Sequence, residues 1–375
     1  VVGVGKIGQS QARFWKKLGY EIVLVDVQKP ESLIYELGAK WIKFDTTRGD
    51  FGAIGVFVGP TYLLEGAEVW NISCPTNWHY AHVNTALQLG ANKILLETPS
   101  TERLDEAREL YRNSVYTLIQ VNYVERAQPV MIAVLQWIKE KEFYPNYMFF
   151  RRSHDVRRRL KTEASSDIKW TTFNTLCHSV SVLELILQHT WWKQKRFRKD
   201  LKVLQSKMIS WQERYKEEFP FKADVDSDFV LSDSEKNGNF KARICGASDK
   251  TEHRYFVLSD GWRAVWVNTL SYPEHKIFPS AVAVYGSDKT RKLVALAEKV
   301  IGLPSTFDNI NTLRTELGGK WLFVDFNHSP TEKMIQNLHE AQKEQDLICP
   351  LSTAIWVEEI IYLVYKTIGI KLLPL

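Results

Sequence analysis

The chain has 375 residues, 45% hydrophobic and 25% charged, the balance of an ordinary soluble globular protein long enough for two domains with separate cores. No apolar run approaches the roughly 20 residues needed to cross a bilayer. The nearest, residues 354–375, is interrupted by Glu358, Glu359 and Lys366, and no signal peptide is seen. Cys74, Cys177, Cys245 and Cys349 are scattered without a CxxC pair or metal-ligand spacing. That pattern argues against a zinc site or a disulfide frame and predicts reduced thiols in a cytoplasmic protein. The net charge of +5 is modest, but 151–161 ("RRSHDVRRRLK") and 191–202 ("WWKQKRFRKDLK") are densely basic. They read as solvated surface or as a funnel for an anionic small substrate. No nucleic-acid-binding signature accompanies them, so nucleic acid is not an expected partner.

In chain order, strand-like runs at 21–27, 67–73, 92–97 and 116–122 alternate with helical patterns at 9–19, 77–90 and 100–113. Apolar strands separated by amphipathic helices predict a doubly wound parallel sheet, an α/β Rossmann domain over residues 1–123. The sequence begins "VVG" without a methionine, and a full first strand calls for apolar residues before Val1. From about 124 the rhythm changes. A helix at 128–142 leads to a strand at 147–153, a basic loop and a helix around 172–188. The polar stretch 226–239 reads as a surface loop. Strands follow at "FKARICGA", "HRYFVLSD", "RAVWVNTL" and "AVAVYGS". Their period-two alternation predicts a mostly antiparallel sheet with one wetter face, an α+β domain over 124–350. A last amphipathic helix follows "CPLS", and 351–375 is expected to pack back on the first domain.

The segment "GVGKIG" (3–8) is a G-x-G-x-x-G after a strand and at the start of a helix. Gly3 permits the tight turn, Gly5 lets the backbone approach a pyrophosphate, and Gly8 lets helix and strand lie close. The anion would sit at the helix N-terminus, beside Lys6 and Ile7. Asp26 ends the next strand, 18 residues past Gly8, where a carboxylate accepts from the adenine ribose. Because that charge repels a 2′-phosphate, NAD is expected rather than NADP.

Three further segments carry a resemblance. "ISCPTNWHYAHVNTALQLGANKILLETPS" (72–100), "VNYVERAQP" (121–129) and "FNTLCHSVSVLEL" (173–185) resemble the cofactor-groove, crossover and D-x-G-x-H-x-x-D segments of the glucose–fructose oxidoreductase / inositol dehydrogenase (Gfo/Idh/MocA) family. The resemblance implies a cofactor groove lined by Ser73, Cys74, Pro75, Thr76, His79, Glu97, Thr98 and Asn122. Glu97 would stand in the family's EKP triplet near the nicotinamide ribose, unless it merely caps a helix or faces solvent. Thr98 replaces the triplet's lysine and carries no transferable charge, so the usual alcohol chemistry has moved to another group or been given up. Asn174 and Ser181 replace the two aspartates of the helix motif, and His178 is kept. Asn174 and His178 are four apart and share a helix face. An imidazole titrates near neutrality, so His178 is the candidate acid–base group, or else a hydrogen-bonded core histidine. Tyr123 offers a phenol and Arg126 an anion clamp, with core packing and a salt bridge as the alternatives. Arg152, Lys169 and Trp170 are candidate substrate contacts.

The resemblance implies an NAD-dependent oxidoreductase, acting on a sugar, cyclitol or imine-type substrate between the domains and forming homodimers or tetramers. No metal and no membrane partner are expected. The other reading is an NAD-binding sensor or scaffold that has lost catalysis.

Overall fold

The computed structural model describes residues 1–49, 52–58, 61–152, 168–190, 197–210, 222–233, 238–245, 254–268, 280–298, 314–325 and 329–368. The chain divides into two compact units. One comprises Val1–Val124 with Thr331–Ile355, the other Glu125–Pro330 with Trp356–Pro374.

In the first unit, residues 1–4 form the central strand. Val2 bridges in parallel to Ile72 on one side and to Val25 on the other. The supporting bonds run from Val2 N–H to Asn71 O (2.7 Å) and from Gly3 N–H to Val25 O (2.9 Å). Outward on one side lie β1 (Val23–Asp26), β2 (Lys40–Gly49) and β3 (Gly52–Val58); on the other lie β4 (Val69–Ile72), β5 (Lys93–Leu96) and β6 (Leu118–Val121). All pairings are parallel except β2 with β3. The chain winds outward from the centre in both directions, so the order reverses between the first strand and β4, the edge where open α/β sheets bind ligands. The helices are α1 (Lys6–Lys17), α2 (Glu31–Leu37), α3 (His79–Gln88) and α4 (Leu104–Asn113). Val4, Ala12, Trp15, Leu24, Leu33 and Leu95 make the core beneath α1 and α2. The β2–β3 hairpin was not anticipated. β2 mixes lysine, aspartate and arginine with its apolar residues, and β3 is an apolar run interrupted by glycine.

The second unit is built on an eight-stranded sheet in the order β14-β13-β12-β11-β7-β10-β9-β8. Its strands are β7 (Tyr147–Arg152), β8 (Lys202–Ser210), β9 (Lys222–Asp233), β10 (Gly238–Cys245), β11 (Arg254–Ser259), β12 (Ala264–Asn268), β13 (Ser280–Tyr285) and β14 (Lys320–Asp325). Every neighbour is antiparallel except the pair β7–β10, so the sheet is mixed and mostly antiparallel, as the sequence suggested. α5 (Pro129–Glu140) packs on β12–β14, α6 (Ile168–Gln188) on β7, β9 and β10, and α7 (Ser287–Glu298) on β7, β11 and β12. α5 opens with Pro129 at its first position, where the missing N–H costs nothing.

Two expectations for this unit are corrected. Of the polar stretch 226–239, residues 226–233 are strand β9 and not a loop, 238–239 open β10, and 234–237 lie outside the described residues. Asp and Ser dominate 226–233, and the ladder with β10 makes it a strand. The wetter face is seen on β10, where Phe240, Ala242 and Ile244 are buried and Lys241 is exposed, but not on β7, β11 or β12. Met148, Phe149 and Phe150 on β7, Phe256, Val257 and Leu258 on β11, and Val265, Trp266 and Val267 on β12 are all buried. With both faces covered, alternation no longer marks an inside and an outside.

The unit boundaries differ from those read in the sequence. Thr331–Ile355 belongs to the first unit, not the second. Gln120, buried on β6, donates to Met334 O (2.6 Å) and accepts from Ile348 N–H (3.0 Å), and Val121 N–H donates to Cys349 O (2.9 Å). Ile335 and Leu338 of α8 (Pro330–Glu340) complete the core around Val4 and Leu95. The last helix, α9 (Leu351–Thr367), starts in the first unit, but from Trp356 onward it belongs to the second. There Trp356 Nε1–H bonds Arg198 O at 3.0 Å. The expected element 351–375 is thus divided between the two units at Ile355 and Trp356, and residues 369–375 lie outside the described residues.

Candidate functional site

The glycine turn is shaped by steric contacts that can be stated one by one. Gly3 has φ +82°, a left-handed conformation, and a Cβ there would lie 2.4 Å from Cys74 N. A Cβ on Gly8 would lie 2.0 Å from Gly3 O and 2.7 Å from Ser73 Oγ. Around Gly5 a Cβ would meet nothing within 4 Å. Gly3 and Gly8 are therefore fixed by the protein's own packing, whereas Gly5 borders open space. Gly5 is also the N-cap of α1 and gives no side-chain cap, which leaves the first-turn N–H groups for another acceptor. Lys6 and Ile7 lie exposed at this end, and Lys16 and Lys17 complement the helix dipole at the other.

The surrounding loops are cross-braced. Ser73 Oγ–H bonds Gly3 O at 2.8 Å, so its hydroxyl holds the turn. Asp26 accepts from Val4 N–H at 2.5 Å and, through its other oxygen, from Gln28 N–H at 3.1 Å. Cys74 is partly buried, and burial pushes its thiol up to about 12, so it is unreactive at neutral pH. Pro75 and Thr76 follow at the start of a short turn before α3. His79, expected to line the groove, is buried instead. Its Nδ1 lies 2.9 Å from Pro99 O and its Nε2 2.9 Å from Cys74 O. It ties the loop after β4 to the turn after β5, and burial pushes its imidazole pKa down.

His82, one turn further on, packs against the rings of Phe44 and Trp78. Burial, then the neighbouring His79, pushes it down to about 4. The unfolded chain binds a proton at this site near pH 6.5 and the folded one near pH 4, so stability is present above 6.5 and lost as pH falls through 4. Thermal melts are expected to fall over that window, and His82→Gln to flatten the slope. An unchanged slope would contradict the burial of an uncharged ring.

Glu97, the residue after β5, closes a polar chain beneath the same edge. Its Oε1 accepts from Gln11 Nε2 and from Asn122 Nδ2, each at 2.6 Å. Gln11 Oε1 accepts from Asn71 Nδ2 (2.8 Å), and Asn71 Oδ1 from Trp15 Nε1 (2.9 Å). Burial raises the carboxyl's pKa, and these hydrogen bonds oppose the rise. Glu97 is only partly buried, and its described bonds are to side chains rather than to a helix end. It links α1 to the ends of β5 and β6. Thr98 is half-buried beside it and precedes Pro99 through a cis peptide bond. Asn122 is 3% exposed, and its Oδ1 accepts no bond from any described group. Gln11, Asn71 and Trp15 were missed in the sequence because they are polar or aromatic positions within ordinary helix and strand patterns.

The second unit holds a different cluster. His178, on α6, contacts Glu125 Oε2 through its Nδ1, and both side chains are buried. Arg152 Nη2, from β7, stands 3.5 Å from Glu125 Oε1. Nearby on α6, Glu184 accepts from Arg126 Nη1 at 2.7 Å and from Arg198 Nη2 at 2.5 Å, while Arg126 also bonds Ser181 O (2.8 Å). Arg126 is therefore part of a buried ion pair rather than an exposed anion clamp, and Arg152 is likewise buried against a carboxylate. Ser181 Oγ–H bonds His178 O at 2.7 Å, a bond back to its own helix. Tyr123, in the first unit, is fully buried and sits as a core side chain. Lys169, Trp170 and Asn174 lie in the first part of α6, but their side chains fall outside the described residues, as do the basic residues 153–161 and 191–196. Among the described residues no group of three or more His, Cys, Asp or Glu is placed to hold a metal, and no helix is long and apolar enough to cross a membrane.

No family model matches the chain, and no curated protein matches it in sequence. Solved structures do match in shape. A UDP-N-acetylglucosamine 3-dehydrogenase of Acidithiobacillus ferrooxidans is 16% identical with a TM-score of 0.65, covering 98% of this chain and 95% of that one. A 3-ketoreductase of Actinomadura kijaniata, in complex with NADP and TDP-benzene, is 12% identical with a TM-score of 0.63, covering 98% and 96%. An NAD-binding oxidoreductase of Klebsiella pneumoniae is 11% identical with a TM-score of 0.66, covering 98% and 96%. The likeness spans both units, and the chain has the Rossmann-plus-sheet fold of these oxidoreductases.

Proposed function

We propose that this protein is an NAD(P)-dependent oxidoreductase acting on a small polar substrate of sugar, cyclitol or imine type. The observation that carries the reading is the glycine turn. Gly3 and Gly8 are locked by contacts at 2.4 and 2.0 Å, while Gly5 alone faces open space at an uncapped helix start. That combination suits a diphosphate, which needs close backbone approach and unsatisfied N–H donors. A bound nicotinamide supplies hydride transfer; the chain's residues hold and orient it. In this reading the N–H groups of α1 bind the diphosphate, Asp26 meets the adenine ribose, and Asn122 Oδ1 and the Glu97 carboxylate face the nicotinamide half. His178 exchanges the proton that accompanies hydride transfer. The UDP-sugar dehydrogenase and the TDP-benzene complex among the similar structures make a nucleotide-linked sugar the first substrate class to assay.

Asp26 gives a direct test of cofactor choice. Asp26→Ala is expected to raise NADP affinity relative to NAD by about tenfold or more, on the order of 1.4 kcal/mol. It also removes the acceptor of Val4 N–H, so both affinities fall somewhat. An unchanged ratio measured by fluorescence titration would contradict the ribose role. The second reading, a nucleotide-binding sensor without turnover, draws on Thr98 and on Ser181, whose hydroxyl is committed to its own helix. Tight cofactor binding with no turnover of UDP-sugars, polyols or cyclic imines would favour it.

A further inference from the structure

We infer that Glu125 is the positioning residue of His178, supplying from the crossover turn the carboxylate that α6 lacks at Asn174. The inference rests on the reading in which His178 exchanges the proton. Glu125 sits in the short turn Val124–Ala127, 53 residues from His178, and its side chain is fully buried. An imidazole whose Nδ1–H donates to a carboxylate is held in one tautomer and one ring orientation. Nε2 is then the nitrogen that takes up and returns the proton. A carboxylate in this role steadies the imidazolium without itself changing protonation.

Arg152 faces Glu125 from β7, on the side of the carboxylate away from the imidazole contact. Glu125 attracts an imidazolium and Arg152 repels it. The other groups on the surrounding elements are Cys177, whose thiol is raised by burial, Glu358 on α9, and Glu184, which is already matched by Arg126 and Arg198. The carboxylate seen against the imidazole is that of Glu125, while Glu184 pairs with Arg126 and Arg198.

The experiment is long-range ¹H–¹⁵N NMR of the histidine rings in the full chain across pH, with His178→Gln identifying the signal. The expected wild-type result is the Nδ1–H tautomer above the titration. Glu125→Gln is expected to move the titration down by a pH unit or more, and Glu125→Asp to restore most of that shift. An Nε2–H tautomer in the wild type overturns the inference even if Glu125→Gln does not fold. So does a titration that Glu125→Gln leaves in place. Where turnover is found, Glu125→Gln should lower kcat by about 100-fold with nucleotide affinity unchanged within about twofold. Equal loss of both would make the residue merely structural and overturn the inference. The ring measurement needs no cofactor, so a confirmed pair in a chain that binds no nucleotide contradicts the oxidoreductase reading and not the pairing.

Discussion

Gly8→Ala is expected to destabilise the first unit severely, whereas Gly5→Ala leaves it intact and weakens nucleotide binding. The alanine methyl at position 8 would stand 2.0 Å from Gly3 O, a backbone atom with no freedom to retreat, because Gly3 is itself wedged against Cys74. Overpacking of a tight core costs about 1–3 kcal/mol and more where backbone must shift, so a value at or above the top of that range is expected. At position 5 the methyl meets no protein atom within 4 Å, and the local φ of −68° suits any residue. The melting temperature should therefore stay within about 1–2 °C of the parent, corresponding to a few tenths of a kcal/mol. The space it fills is the space a diphosphate needs, so affinity should fall by at least about tenfold, or 1.4 kcal/mol. Thermal melts and nucleotide titration on the same two variants check the pair. Undiminished affinity in Gly5→Ala would mean the opening there is not a ligand site.

Arg126→Met is expected to cost about 3–5 kcal/mol of stability in urea unfolding, the usual penalty for stripping a buried carboxylate of its partner. Arg198 still contacts Glu184 after the change, which places the result toward the lower end. Replacing both members, Arg126→Met with Glu184→Leu, should recover much of the loss, because the fully buried charges are gone and Arg198, which loses its contact with Glu184, is partly exposed. A variant that keeps its stability but raises the substrate KM would reinstate Arg126 as an anion clamp.

The parts of this protein legible in its sequence were those fixed by short-range rules. The glycine turn could be read because the steric demands on Gly3, Gly5 and Gly8 act within a single strand–turn–helix. Strands β1 and β4–β6 could be read because a parallel sheet buried on both faces needs continuous apolar runs. What stayed hidden depended on distant partners. Nothing near Glu97 in the chain shows that Gln11, 86 residues away, donates to it. Arg126 looked like a clamp because one sequence does not reveal which acid neutralises which base. Glu125 passed unnoticed for the same reason, since its significance comes from His178 and Arg152 on separate elements. β9 was lost to composition: Asp and Ser dominate 226–233, and only the ladder with β8 and β10 makes that segment a strand. The reassignment of Thr331–Ile355 likewise turns on one buried residue, Gln120, whose amide holds both α8 and the chain at Ile348.

The most direct measurement is calorimetric titration of the full chain with NAD, NADH, NADP and NADPH. Saturable binding at one site per chain by at least one oxidised–reduced pair, weakened in Gly5→Ala, is the predicted result. No binding heat with any of the four, from a chain that melts cooperatively, would contradict the assignment of the glycine turn and the oxidoreductase reading built on it.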